Sequence, residues 1–215
     1  MINPSKQKMK KRKQNKKQKS EKKRNFFAEK YSECWNYIKE SRNFIYAIIG
    51  IFFGFSLVSF FLPVPEQIVS QISKFIEEIL SKTEGMNQFE LVKFIFLNNL
   101  QSSFTGMIFG IFLGVFPILA VIVNGYILGF VASISVQSEG IFVLWRLFPH
   151  GIFELPAVFI SLGLGLKLGT FMFQKNKSES FRKYLFNSVN VFLFFVIPLL
   201  IVAAIIEGSL IYLAG

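Results

Sequence analysis

Apolar residues run through this chain in blocks that are long, uniform and nearly free of charge. Asn43 to Leu62 is a 20-residue stretch without a charge, stopped by Pro63 and Pro65, and that is the length needed to cross ~30 Å of hydrocarbon as a helix. The next block, Phe94 to Val136, holds 43 residues, too many for one crossing and enough for two. Pro117 supplies a break, because proline lacks a backbone donor and disfavours helix at the preceding residue, Phe116. Spans are therefore predicted near 94–116 and 118–136 with a tight connection between them. A fourth is predicted over 149–169, opened by Pro149 in the first turn where proline is tolerated, and a fifth over 185–213, interrupted at Pro198. The pattern predicts an all-α, polytopic helical membrane protein with about five transmembrane helices.

Between these blocks the periodicity changes. Phe27, Tyr31, Cys34, Trp35 and Ile38 fall at i, i+4, i+7, i+8 and i+11, one face of a helix. Residues 26–42 therefore read as an amphipathic juxtamembrane helix, either lying in the headgroup layer, where Tyr31 and Trp35 suit, or packed on neighbouring cytoplasmic segments. Ile68, Ile72, Phe75, Ile76, Ile79 and Leu80 repeat in the same way beside Lys74, Glu77 and Glu78, predicting a second interfacial helix on the opposite side. The segment 137–148, with Trp145 and Arg146, is apolar but too short to span. It reads as re-entrant or interfacial.

Charge refines this picture by its location. The formal net charge is +11, and residues 1–24 alone carry 12 Lys/Arg against the single acid Glu21. The basicity belongs to the tail, and the remaining chain is balanced. Residues 1–25 are expected to be a disordered polybasic cytoplasmic tail, able to attract anionic lipid at about 1 kcal/mol per basic residue near the surface. No folded reading module accompanies the charge, so nucleic acid is not the expected partner. Residues 43–215 form a single membrane domain. The 172–184 loop bears four basic residues to one acid and the 63–93 segment three to five, so the positive-inside rule places the N-terminus in the cytoplasm and the C-terminus outside. One cysteine, Cys34, excludes an intrachain disulfide and a cysteine-based zinc cluster.

Candidate chemistry is sparse. Gly106, Gly110 and Gly114 recur every four residues in the second span, and Gly125 and Gly129 in the third, a spacing that lets membrane helices approach closely. Asn99 and Asn124 are suited to hydrogen bonds between helices. His150 and Glu154 sit four apart at the start of the fourth span, and Glu207 lies near the outer end of the fifth, so topology brings them to one outer polar cluster. Ionisable groups at such depth serve a path, a site or an interhelical bond. A buried network, a proton or ion relay, and hydrolytic or metal chemistry all remain open readings. His150 is the only histidine, however, and HExxH, a G-x-S-x-G elbow and a P-loop are all absent. No catalytic residue, metal or cofactor is expected.

The run PHGIFELPAVFIS followed by GLGLKLG resembles the Pro-His-Gly-x-x-Glu core of the stage II sporulation protein M family, matching Pro149, His150, Gly151 and Glu154. NG-x-x-x-G at Asn124, Gly125 and Gly129 and AAIIE ending in Glu207 are also similar to that family. The resemblance covers about 43–213. It implies a multi-span protein with no established enzymatic activity. The family's sporulation member works in a membrane complex with a cell-wall hydrolase during engulfment, and members also occur where no spores form. The expected role is thus a non-enzymatic scaffold or complex subunit of the cell membrane, associating with other membrane proteins or with itself. The alternative is a transporter or channel component moving protons or ions through the His/Glu cluster.

Overall fold

Long apolar runs punctuated by Gly and Pro fold here into helices alone. The computed structural model describes residues 27–214, without the side chains of 145–150 and 214; the polybasic tail falls outside the described residues. Eight helices follow in order: α1 (27–40), α2 (Arg42–Phe61), α3 (Glu66–Thr83), α4 (Gln88–Ile108), α5 (Val115–Glu139), α6 (Phe148–Gly169), α7 (Lys177–Val191) and α8 (Ile197–Ala214). Among the described residues there is no strand.

Four helical stretches are long and apolar enough to cross a membrane: α2, α5, α6 with its following turn, and the continuous α7–α8 rod over Lys177–Leu213. The 21-residue α4 is diluted by Glu90, Lys93, Asn98, Asn99 and Gln101. Yet α4 runs the same depth as its neighbours. At its start, the side-chain amide of Gln88 donates to Ser209 Oγ on α8 at 3.0 Å, and near its end Phe104 packs edge-on against Phe192 at 5.3 Å, so the two helices lie antiparallel along their lengths. The bundle therefore has five helices side by side, α2, α5 and α8 running in one direction and α4 and α6 in the other.

Three boundaries differ from the sequence reading. Helix α4 starts at Gln88 rather than near 94. The second and third spans do not part at Pro117. Helix α4 ends at Ile108, a 3-10 turn covers Phe109–Ile111, and Leu113 and Gly114 take positive φ of 57° and 74° before α5 starts at Val115. Pro117 sits in the first turn of α5, where a missing N–H costs nothing because the first four donors of a helix have no intrahelical partner. The fifth traverse begins earlier than 185, because Lys177–Val191 continues into it through a π-helical stretch at Phe192–Val196. Pro198 cannot donate to the carbonyl of Phe194 and its ring crowds that oxygen, and wider π spacing just ahead of it relieves the clash.

The most buried of the spanning helices is α6. It packs against α2 through Phe159, whose ring lies 5.0 Å from Phe52, and against α4 through the small residues described below. The segment after α5 is a 3-10 stretch, Ile141–Leu147, with Ile141 and Phe142 exposed.

Candidate functional site

Close approach of backbones fixes the frame on which polar groups are placed. A Cβ at Gly110 would overlap the backbone of Gly165, one at Gly125 the carbonyl of Phe52, and one at Gly129 the carbonyl of Ser56. Gly106 and Gly114 meet Leu162 and Leu166 of α6. These five glycines lie at close interhelical approaches, and Gly163, Gly165, Gly169 and Gly208 lie at others. Buried serines reinforce the seams. Ser161 Oγ donates to the carbonyl of Ser103 at 2.6 Å, tying α6 to α4, and Ser59 Oγ donates to the carbonyl of Tyr126 at 2.7 Å, tying α2 to α5.

This frame sets the depth of the carboxyl groups of Glu154 and Glu207. A capping box, with Asn87 Oδ1 accepting from Glu90 N–H and Glu90 Oε2 from Asn87 N–H, starts α4 cleanly. Its first turns lie against the end of α8, where a Cβ on Gly208 would come within 2.6 Å of Val92. Glu207 is thus level with Val92. Counting two turns from the Ser161–Ser103 bond towards the helix N-termini places Glu154 level with Phe96, so the two carboxyl groups differ in depth by about one turn, ~6 Å. Each residue is half-buried with one carboxyl oxygen withdrawn from solvent, and each has interaction partners.

The other expected site residues fall out differently. Pro149 and His150 lie in the first turn of α6, and their side chains are outside the described residues. A Cβ on Gly151 would come within 3.3 Å of Leu155 on its own helix. Asn99 is half-buried on α4, its Oδ1 accepting from Asn98 at 3.5 Å. Asn124 is exposed on α5, which packs chiefly on α2, and lies apart from the group on α4, α6 and α8.

At the opposite end of α6 is a buried cation. Lys167 is 7% exposed. Its Nζ donates to Ser41 Oγ at 3.1 Å, lies 3.9 Å from the centre of the Tyr37 ring and 5.6 Å from that of Tyr184, and is 3.7 Å from the exposed carboxylate of Glu40. Ser41 in turn donates to the Tyr37 carbonyl at 2.7 Å. The aromatic faces attract the ammonium, and Glu40 balances its charge. Sequence reasoning passed over Lys167, whose signal is a lone cation inside GLGLKLG.

Lys167 belongs to a larger docking surface. Helix α1 lies over the α7–α8 junction, with Tyr31 packed edge-on against Phe194 and Phe195 at 5.5 and 5.3 Å and Trp35 stacked on Phe195. One edge of the apolar face of α1 therefore meets protein, while Phe27, Tyr31 and Trp35 stay about half exposed. Cys34 and Tyr37 are buried there, and burial pushes both the thiol and the phenol above their ordinary pKa ranges.

The sequence model of a family described as Stage II sporulation protein M matches residues 43–210. No curated protein and no solved structure matches the chain.

Proposed function

The chain belongs to the stage II sporulation protein M family, and from that premise we propose that it is a non-enzymatic scaffold, a membrane-embedded subunit that holds other membrane proteins in place. The observation that supports this reading is the number of seams closed to backbone contact: α4 and the 3-10 turn after it on α6 at Gly110 and Gly165, α5 on α2 at Gly125 and Gly129, and α8 on α4 at Gly208. Transporters work by rocking one part of a bundle against another. Helices locked at backbone distance along three separate seams suit a fixed platform better.

In this reading the outer carboxyl groups Glu154 and Glu207 anchor a partner on the extracytoplasmic side. His150, four residues before Glu154 in sequence, is assigned to the same anchor. The N-terminus is cytoplasmic and the C-terminus external, and the polybasic tail is held against anionic lipid.

The test has two arms. Crosslinking in native membranes followed by mass spectrometry should capture a defined set of membrane proteins, and Glu154→Gln should reduce that capture severalfold while the protein stays folded. The purified chain in liposomes should move no protons or ions above empty vesicles. A pH-dependent flux that Glu154→Gln abolishes in folded protein would overturn the scaffold reading in favour of a relay.

A further inference from the structure

Helix α4 differs from its neighbours in what it turns outward. It runs the depth of the bundle between α6 and α8, yet Asn98, Gln101, Ser102 and Thr105 are all exposed. Their spacing of i, i+3, i+4 and i+7 makes them one stripe. The outward faces of α2 and α5 are mostly apolar, with Phe53, Phe55, Leu57, Leu119 and Val123 exposed and Asn124 a lone amide among them, whereas on α4 the exposed Leu97 and Phe104 only flank the four polar residues. At 1.5 Å per residue the stripe begins about 7 Å below Lys93 and ends about 18 Å below it, at hydrocarbon depth. Amides and hydroxyls aimed at acyl chains lose the partners that water would give them.

We propose that this stripe is the contact between two copies of this chain, α4 against α4 about a twofold axis along the membrane normal. All four side chains are uncharged, and each both donates and accepts hydrogen bonds. The stripe is therefore its own complement. Membrane insertion adds the second argument: copies sharing one orientation bring Asn98 to the depth of Asn98 and Ser102 to that of Ser102, so register follows from symmetry. Any other partner needs a matching polar stripe at the same depth. Ser102 and Thr105 are small enough for close approach of the two helices. The inference deepens the scaffold reading, since the first component assembled is the protein itself.

A Ser102→Cys substitution in a Cys34→Ser background tests the contact in native membranes. Oxidation should convert most of the chain to a disulfide-linked dimer, whereas Leu119→Cys on the apolar face of α5 should remain monomeric. In bilayers, energy transfer between labelled copies should fall at least tenfold when Asn98→Leu, Gln101→Leu and Thr105→Val are combined. Failure of Ser102→Cys to crosslink overturns the proposal, and its labelling by a membrane-impermeant thiol reagent in that case identifies a water-filled path instead. If the triple variant does not fold, the single cysteine decides alone. A monomer that still captures other membrane proteins sinks this inference and leaves the scaffold reading standing, while a dimer that conducts ions does the reverse.

Discussion

Lys167 shows what a single side chain can hold together. A lysine near a helix end usually extends its stem so that the ammonium reaches water, and nothing in GLGLKLG says otherwise. Here Tyr37 and Ser41, 126 or more positions away in sequence, close over it, with Ser41 donating to backbone and accepting from the ammonium. That closure depends on how α1 docks, so it could not be read from local pattern. The same docking buries Cys34 at 3% exposure, and Cys34 reports on it. Thiolate is the reactive form, and burial raises the thiol pKa, so limited access and limited ionisation both slow alkylation near neutral pH. Lys167→Glu sets a carboxylate against Glu40 and the Tyr37 ring face and should free α1. Alkylation of Cys34 in native membranes is expected to accelerate about tenfold, equivalent to ~1.4 kcal/mol, with Lys167→Met giving a smaller change. An unchanged rate in Lys167→Glu would show that the Tyr31 and Trp35 contacts dock α1 without it.

Among elements, glycine acts in opposite senses according to which face it occupies. A Cβ at Gly129 would run into the Ser56 carbonyl and the Ser59 hydroxyl, whereas Gly50 and Gly54 of α2 have nothing within 4 Å. Gly129→Ala must push α2 and α5 apart and should destabilise the protein by about 1–3 kcal/mol or more, the usual range for overpacking. Gly50→Ala should stabilise it by about 0.5–1 kcal/mol through helix propensity alone. Thermal unfolding in detergent distinguishes the two by sign, and stabilisation by both would disprove the α2–α5 seam. The four-residue glycine spacing made such seams legible in the sequence, because it arises from the helical period itself. The α4–α5 break was legible as a break but misplaced at Pro117, since proline is equally at home in a first turn. The turn rests instead on left-handed backbone at Leu113 and Gly114, and leucine does not advertise that conformation. The π-helical stretch before Pro198 follows from proline's clash with the residue four back, a constraint that does not say how the helix will absorb it.

For the whole molecule, the number of crossings fixes which ends share a side. Hydropathy marks four candidate stretches, while α4, packed along α6 and α8, is proposed as a fifth traverse despite its polar residues. The choice has a measurable consequence. With five crossings the 63–93 segment and the 170–176 loop lie on opposite sides; without α4 they lie on the same side. Glu78 and Lys175 are both exposed, so Glu78→Cys and Lys175→Cys, each in a Cys34→Ser background, read the two locations with an impermeant maleimide. Modification of both from one side would mean that α4 does not cross. Opposite sides would establish five crossings, and orientation then follows from which cysteine reacts in intact cells. The basic residues of the tail and of the 172–184 loop should be retained in the cytoplasm, so Glu78→Cys is expected to react from outside and Lys175→Cys only after permeabilisation. The reverse pattern would place the C-terminus and the carboxyl groups of Glu154 and Glu207 towards the cytoplasm, where an extracytoplasmic partner could not reach them.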